Sequence, residues 1–232
     1  MAETAVQAKA PEVLPPCFRD ILRTHPKVAM NVMFDVGANV GQSAIVYAAH
    51  FPEATIWAAE PTDHSFMELT KASSNLPSIK PVQIAFGPEA GTARMTMKPT
   101  WTRNHITDKP LSDLVKDVQV DRLDQFCARQ GIDHINFLKI DTEGYDLEVL
   151  KGATGILPEV DFVQAETSMN RYNRFHVSYQ EVFDFMSDNG FMVYNIYGLS
   201  FENRDIAVLR RADPVFINSR LVPSLAGRII SR

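Results

Sequence analysis

The sequence predicts an α/β fold in which a mostly parallel sheet has helices on both faces and ends in an antiparallel hairpin. From residue 28 onward, short apolar runs rich in β-branched residues alternate with segments of helical pattern, which is typical of a doubly wound sheet. The first strand, turn, helix and second strand fit within about thirty residues, the usual size of a βαβ unit. The chain of 232 residues is long enough for one large domain with a sizeable core.

Five core strands are predicted, each an apolar run that ends at a turn or at an acidic residue. They span residues 32–36, 55–59, 82–86, 135–140 and 160–165. Helices are predicted at residues 43–49, 63–71, 147–150 and 178–190. Ser178 and Glu181 have the spacing of a capping box, and Gly190 closes that last helix. A short antiparallel strand is predicted at 92–97, and strands at 191–197 and 206–209 form the final hairpin.

A single domain is predicted for residues 28–232, preceded by an arm at residues 1–27. The start of the arm is rich in alanine and proline and has no long apolar stretch, so we expect it to be partly flexible and not a signal peptide. Residues 99–117 are polar and weakly patterned. A segment this long inside a compact domain is more often functional or mobile than merely connecting, and it is interpreted as an insertion.

Composition limits the classes of partner. The formal net charge of −5 argues against a nucleic-acid partner, because phosphate recognition needs a concentration of Lys and Arg. No run of residues is long and apolar enough for a membrane span. Cys17 and Cys127 lie far apart and are expected to be free thiols, which suits a reducing compartment such as the cytoplasm. A small-molecule acceptor is therefore favoured, and assembly into a homo-oligomer is left open.

Residues 34–41 give the strongest local signal, a glycine turn between the first strand and the first helix. Ligands of open α/β sheets bind at the carboxyl ends of strands. Gly37 permits a tight turn and close contact with a cofactor there, while Gly41 lets the helix pack closely. The spacing G-x-x-x-G is wider than the dinucleotide fingerprint, which argues against a nicotinamide-dependent oxidoreductase. Asp35 suits a ligand with a cationic end. The candidate cofactor-binding residues of this turn are Asp35, Gly37, Ala38, Asn39 and Gly41. The alternative is a purely structural turn.

Glu60 and Pro61 follow the second strand. A carboxylate at this position, 25 residues after Asp35, is placed to accept both hydroxyl protons of a ribose. The alternative role for Glu60 is interaction with the dipole of the helix that follows.

The candidate catalytic residues are Asp141, Glu166 and His176. Asp141 and Glu166 end adjacent strands and are expected to face one crevice, although helix capping is the alternative for Asp141. Glu143 and Asp146, in the same turn as Asp141, are interpreted as solvated acids of the next helix.

Two histidines are candidate bases, because both lie in segments that could cover the crevice. They are His105, in the insertion, and His176, after the fifth strand. A divalent metal held by Asp141 and Glu166 is the alternative to a direct base. A direct base without a metal is favoured, because hard cations usually gather more than two oxygen ligands.

These residues resemble the FkbM-type methyltransferases. The match includes residues 34–41, Glu60 with Pro61, the run 84–87 that contains Ala85, and above all residues 137–153. The resemblance implies a Rossmann-like class I methyltransferase fold with a seven-stranded sheet and S-adenosylmethionine as the methyl donor. It also implies cofactor contacts at Asp35, Gly37 and Glu60, with Asp141 near the methyl group, and Ala85 is included among the cofactor-binding candidates.

The predicted function is methyl transfer from S-adenosylmethionine to a hydroxyl of a sugar or another natural product. Two alternatives remain at this point: N-methylation of a small molecule or peptide, and a protein that binds the cofactor without catalysis. The sequence has no P-loop lysine motif and no G-x-S-x-G elbow, so nucleotide hydrolysis and esterase chemistry are not supported.

Overall fold

The computed structural model describes residues 13–96, 106, 115–203 and 206–223, and its elements follow the predicted alternation. The helices are α1 (Pro16–Thr24), α2 (Gln42–His50), α3 (Asp63–Ala72), α4 (Leu123–Gln130), α5 (Asp146–Lys151) and α6 (Tyr179–Asp188). The strands are β1 (Val32–Val36), β2 (Thr55–Ala59), β3 (Ile79–Val82), β4 (Ala85–Phe86), β5 (Gly91–Thr96), β6 (Val115–Asp121), β7 (Ile135–Ile140), β8 (Val160–Ala165), β9 (Thr167–Ser168), β10 (Phe191–Asn203) and β11 (Ile206–Asn218).

The main sheet has the strand order β10-β11-β8-β7-β1-β2-β3, with the short β9 paired to β11. Strands β8, β7, β1, β2 and β3 run parallel, whereas β10 and β11 form an antiparallel hairpin at the edge. The predicted seven-stranded, mostly parallel sheet with a C-terminal hairpin is thereby confirmed. Strand β1 lies between β2, which follows it in sequence, and β7, which comes much later. Chain connections diverge at this point of the sheet, where ligands of such folds bind.

The core lies on both faces of the sheet because successive side chains of a strand point to opposite sides. Met33 of β1 packs in a cluster with residues of α1, α2 and α3, whereas its neighbour Phe34 packs in a second cluster with residues of α4, α5 and α6. Both side chains are fully buried. The alternation explains why the central strands read as continuous apolar runs, since both faces are covered.

The predicted third strand, residues 82–86, is wrong. Strand β3 ends at Val82, and the chain then leaves the main sheet so that β4 joins β6 and β5 in a second, three-stranded sheet. Strand β3 is the edge strand and contains Pro81. An edge tolerates a residue without a backbone N–H, so the proline does not prevent pairing there.

The insertion predicted at 99–117 is shorter than expected at its end, because residues 115–117 belong to β6. Strand β6 pairs antiparallel with β5, and its Val118 and Val120 are buried. Between residues 97 and 114 the structure describes only Ile106, which bridges to Met95. His105, one candidate base, lies outside the described residues.

The arm contains a helix that the sequence pattern did not predict. Helix α1 begins at Pro16, and its Phe18 and Ile21 are fully buried against the sheet. Residues 1–12 lie outside the described part of the chain. Both thiols are free, and Cys17 of α1 and Cys127 of α4 are buried in opposite clusters.

Candidate functional site

A cavity of about 310 Å³ lies at the carboxyl ends of β1, β2 and β7. The second sheet forms its other wall. The cavity is lined by Val36, Gly37, Ala38, Asn39, Gln42, Ser43, Glu60, Pro61, Ile84, Ala85, Phe86, Met95, Ile106, Lys139, Asp141, Thr142, Glu143 and Tyr145. Its volume falls in the range of small-molecule sites.

Six of the eight predicted cofactor-binding residues line this cavity. They are Gly37, Ala38, Asn39, Glu60, Pro61 and Ala85. Asp35 and Gly41 do not line it, which corrects the prediction for these two residues. Asp35 is completely buried beside Lys139, and Gly41 packs against Leu69 of α3.

The glycine turn is shaped by contacts within the protein. The amides of Gly37 and Ala38 both donate to the Ala59 carbonyl, and the amide of Asp141 donates to the Val36 carbonyl. Gly37 has a φ of +82°, and a Cβ there would lie 2.0 Å from the Asp141 carbonyl oxygen. Glycine at position 37 is therefore required for β1 and the turn after β7 to approach each other, in addition to any contact that it makes with a ligand.

Glu60 is buried at the carboxyl end of β2. Hydrogen-bond donors of the protein already occupy most of the acceptor positions of its carboxylate. Its Oε1 accepts hydrogen bonds from the amide and the hydroxyl of Thr62, at 2.9 and 2.6 Å, and its Oε2 accepts one from the Asn39 amide at 3.0 Å. A carboxylate has about four acceptor positions, so one remains, at Oε2. Burial raises the pKa of Glu60, and the hydrogen bonds from Thr62 and Asn39 offset only part of that rise.

The position of Glu60 is compatible with both roles that the sequence left open. It receives the amide of Thr62, the N-cap residue of α3, and it also presents an acceptor to the cavity. Asn39 contributes a second polar atom at the same wall, since its Oδ1 is buried without a hydrogen-bond partner among the described residues.

Lys139 lies beneath the cavity and joins two acids. Its Nζ is 3.0 Å from Asp35 Oδ1 and 3.2 Å from Asp141 Oδ2. Burial by itself lowers the pKa of Lys139, but the carboxylates of Asp35 and Asp141 outweigh it and the net pKa is raised. Lys139 is thus held as a cation. Asp141 has a side chain that is 40% exposed and faces the cavity, as predicted.

The other two candidate catalytic residues, Glu166 and His176, lie outside the cavity lining. The two side chains are buried next to each other, with His176 Nε2 2.9 Å from Glu166 Oε2. Burial lowers the pKa of His176, and Glu143 offsets part of this effect. We expected these residues to share a crevice with Asp141, but only Asp141 lines the cavity, and Glu166 and His176 do not. The reason is that the segment after β9 folds back against the turn that follows β7.

Glu143 links the two regions. It lines the cavity, and its Oε2 is 3.8 Å from His176 Nε2. Its φ of +55° is uncommon for a residue with a side chain, and the neighbouring Gly144 contacts the Phe175 carbonyl so closely that a Cβ would lie 2.1 Å from it. The interpretation of Glu143 as an acid of the next helix is wrong, because α5 begins only at Asp146, and the Glu143 side chain is 26% exposed. Asp146 is also buried, and it accepts hydrogen bonds from Thr142 Oγ1 and the Glu166 amide.

A family model described as the methyltransferase FkbM domain matches residues 35–193. The chain belongs to the FkbM methyltransferase domain family. The matched region contains the glycine turn, Glu60 and the whole turn after β7, so the cavity described above lies within the family's domain.

Curated relatives of this FkbM domain match it at modest identity. "Hexuronic acid methyltransferase AglP" from Haloferax volcanii is 28% identical, with 59% of this chain and 55% of the relative covered. "Methyltransferase sdnD" from Sordaria araneosa is also 28% identical, with 51% of this chain and 58% of the relative covered. This chain thus spans a little over half the length of these relatives.

Solved structures share the fold at low sequence identity. Fibrillarin from Methanococcus jannaschii has a TM-score of 0.51 at 13% identity, covering 82% of this chain and 67% of that one. Magnesium protoporphyrin IX methyltransferase from Synechocystis, solved with bound S-adenosylmethionine, has a TM-score of 0.50 at 11% identity, covering 88% and 77%. These likenesses confirm the methyltransferase-type α/β fold of the FkbM domain.

Sequence reasoning about this FkbM domain missed Lys139, Glu143 and the apolar wall formed by the second sheet. Lys139 is a single basic residue in an apolar strand, which is a detectable signal of a buried ion pair. The alternation of Val118 and Val120 could have revealed β6.

No helix among the described residues is both long and apolar enough to cross a bilayer.

Proposed function

We propose that the domain binds S-adenosylmethionine in the cavity and transfers its methyl group to a hydroxyl oxygen of a small molecule, a sugar or another natural product. The observation that carries this proposal is the position of Glu60. Its remaining acceptor site at Oε2 faces a cavity at the carboxyl ends of β1, β2 and β7, beside the unpartnered Oδ1 of Asn39.

The residues present fit this cofactor. The free acceptor position of Glu60 suits one ribose hydroxyl, in place of the two that we expected from sequence. Ile84, Ala85 and Phe86 offer an apolar surface suited to a base. When bound, S-adenosylmethionine supplies a methyl group already activated by its sulfonium.

Within this proposal, Asp141 accepts the proton of the acceptor hydroxyl. A hydroxyl that gains a methyl group must lose its proton, and a carboxylate within hydrogen-bond reach takes up that proton as a general base. Asp141 is the predicted catalytic residue that lines the cavity, with its carboxylate partly exposed and held by Lys139. Orientation of the acceptor oxygen in line with the methyl group contributes the rest of the acceleration.

The nature of the acceptor is also part of the proposal. The relative from Haloferax volcanii is a hexuronic acid methyltransferase, which supports a sugar acceptor. The net charge of −5 supports a small molecule over a nucleic acid. The two buried free thiols support function in the cytoplasm.

Mass spectrometry with deuteromethyl-labelled donor tests this proposal. We expect a hydroxyl of a uronic acid or neutral sugar in a panel of acceptors to gain one labelled methyl group. Asp141→Asn should lower the rate by roughly 10²-fold or more with cofactor binding retained, as for loss of a general base. The exposed acid Asp188 provides a matched control as Asp188→Asn.

Three outcomes would contradict the proposal. Labelling only of amines in the panel would make the protein an N-methyltransferase. Cofactor binding without labelling of any acceptor would favour a protein that binds without catalysis. Full activity of Asp141→Asn would show that the base lies elsewhere.

A further inference from the structure

A second group of polar side chains adjoins the cavity at Glu143. The carboxylates of Glu143 and Glu166 and the imidazole of His176 each offer a ligand atom, and these atoms all lie within 4.8 Å of one another. We propose that these three side chains bind a divalent transition-metal ion next to the cofactor cavity.

Unpartnered buried atoms point to a missing ligand. Glu166 is 6% exposed and His176 is 8% exposed. Glu166 Oε2 and His176 Nε2 nevertheless have no hydrogen-bond partner of good geometry among the described residues, although they lie 2.9 Å apart. Buried polar atoms of this kind call for an explanation, and an ion that both atoms contact supplies one.

The distances suit coordination. Two ligand atoms, each about 2.1 Å from a divalent ion, lie about 3.0 Å apart when they subtend a right angle and about 3.4 Å apart at a tetrahedral angle. The observed separations from His176 Nε2 are 2.9 Å to Glu166 Oε2 and 3.8 Å to Glu143 Oε2. Glu143 is the most exposed of the three side chains, so its oxygen is the one that would have to move towards the ion.

Other contacts hold these ligands in place, as in known metal sites. Glu166 Oε1 pairs with Arg211, which leaves Oε2 for the ion, and the Glu166 amide donates to Asp146. His176 Nδ1 lies 3.2 Å from Asn173 Oδ1 and 3.0 Å from Asn173 Nδ2. In the tautomer protonated at Nδ1, that N–H donates a hydrogen bond to Asn173 Oδ1 and Nε2 keeps a lone pair for the ion.

The surrounding charge also favours a cation. Glu143 and Glu166 contribute two negative charges, of which Arg211 compensates one. Asp141 and Asp146 add further negative potential at His176, and Arg210 opposes it. A divalent ion balances this set.

Ligand type narrows the choice of metal. Imidazole suits Zn²⁺ and other transition metals, whereas carboxylates alone suit Mg²⁺ or Ca²⁺. One imidazole with two carboxylates is therefore expected to favour Mn²⁺ or Zn²⁺. This site differs from the pairing of Asp141 with Glu166 that the sequence suggested, because Asp141 is occupied by Lys139. If methyl transfer is as proposed, an ion beside Glu143 would hold an oxygen of the acceptor.

Electron paramagnetic resonance of Mn²⁺, titrated into the metal-free protein without cofactor or acceptor, tests this inference. We expect one saturable site, at least tenfold weaker in Glu166→Gln and in His176→Ala, with Zn²⁺ displacing the Mn²⁺. Glu148→Gln removes a partly exposed carboxylate outside the cluster and should bind as the wild type does. Glu143→Gln, at the partly exposed edge of the cluster, should weaken binding without disturbing the buried pair.

Absence of a saturable site in the wild type would overturn the inference, as would unchanged affinity in Glu166→Gln and His176→Ala. If those buried variants do not fold, Glu143→Gln decides, and wild-type affinity there is a refutation. Calorimetry of S-adenosylmethionine on the same samples keeps the two proposals separate. If the protein binds the metal but not S-adenosylmethionine, only the proposed function is contradicted. If it binds S-adenosylmethionine but not the metal, only the metal site is contradicted.

Discussion

At the scale of single residues, the buried ion pair between Lys139 and Asp35 stabilises the part of the sheet that lies beneath the cavity. Asp35 is completely buried, and its second oxygen, Oδ2, has no hydrogen-bond partner among the described residues. Lys139 therefore provides the main compensation for a carboxylate that cannot reach water. Removing one partner of such a pair is more costly than removing both.

We predict that Lys139→Met lowers the free energy of unfolding by about 3–5 kcal/mol, because it leaves the Asp35 charge buried and unpaired. The double variant Asp35→Asn with Lys139→Met should recover part of this loss. Lys151→Met is the control, since its pair with Glu148 lies at the surface and should be worth about 0–1 kcal/mol. Urea unfolding measures all of these values. A loss below about 1 kcal/mol in Lys139→Met, or no recovery in the double variant, contradicts this view of the pair.

Single residues also show where sequence reasoning ends. Glu60 could be placed because it directly follows a strand, but its hydrogen bonds to Thr62 and Asn39 depend on how the turn folds. The conformation of Glu143, with its positive φ, contradicts the usual preference of glutamate, so local pattern could not predict it. The meeting of Glu166 with His176 depends on tertiary folding of the segment between them.

At the scale of elements, the approach of β1 to the turn after β7 determines the shape of the site. The Asp141 amide bonds to Val36 at the end of β1, and Gly37 follows immediately. A side chain at position 37 would push these two elements apart.

Gly37→Ala should therefore destabilise the protein by more than the backbone cost alone. Gly131, which follows α4, has a comparable φ of +67°, but a Cβ at that residue would have no neighbouring atom within 4 Å, so Gly131→Ala isolates the backbone cost. We expect roughly 1 kcal/mol for Gly131→Ala and clearly more for Gly37→Ala. Denaturant unfolding compares the two. Equal losses would mean that the turn shifts freely to admit the added carbon.

Elements differed in how far the sequence could specify them. Strands β7 and β8 begin and end at the predicted residues, because each is a mostly apolar segment that is followed directly by an acid. The final hairpin is longer than predicted in two different ways. Strand β10 continues past residue 197 to Asn203 through exposed residues with no apolar alternation, whereas β11 continues past residue 209 into the core, where Val215, Phe216 and Ile217 are buried and pair with β8. The split between β3 and β4 depends on pairing with β6, which no local pattern expresses.

At the scale of the whole molecule, several acids gather around the site and make stability depend on pH. Burial raises the pKa of Asp213 to about 6, with a further contribution from Asp141 and partial compensation by Arg211 and Lys139. An unfolded aspartate has a pKa of about 3.9, so the folded state binds more protons between these values. The contribution of Asp213 to stability is therefore present below about pH 4 and is lost as the pH rises through 6.

Asp213→Asn should consequently stabilise the protein at pH 8, by roughly 1–2 kcal/mol, and have little effect at pH 4. Asp188→Asn, at an exposed position, should have little effect at either pH. Urea unfolding of the three proteins at pH 4, 6 and 8 provides the comparison. A difference between Asp213→Asn and the wild type that does not vary with pH would contradict the assignment.

The central claim is that the cavity at the ends of β1, β2 and β7 binds S-adenosylmethionine through Glu60, and calorimetric titration tests it most directly. The wild type should bind S-adenosylmethionine and S-adenosylhomocysteine at one site per chain and should not bind NADH. Glu60→Gln should weaken binding by about 1.5–3 kcal/mol, as expected for a hydrogen bond to a charged group, whereas Glu53→Gln at an exposed loop should not. Binding of NADH without binding of S-adenosylmethionine, or unchanged affinity in Glu60→Gln, would contradict the claim.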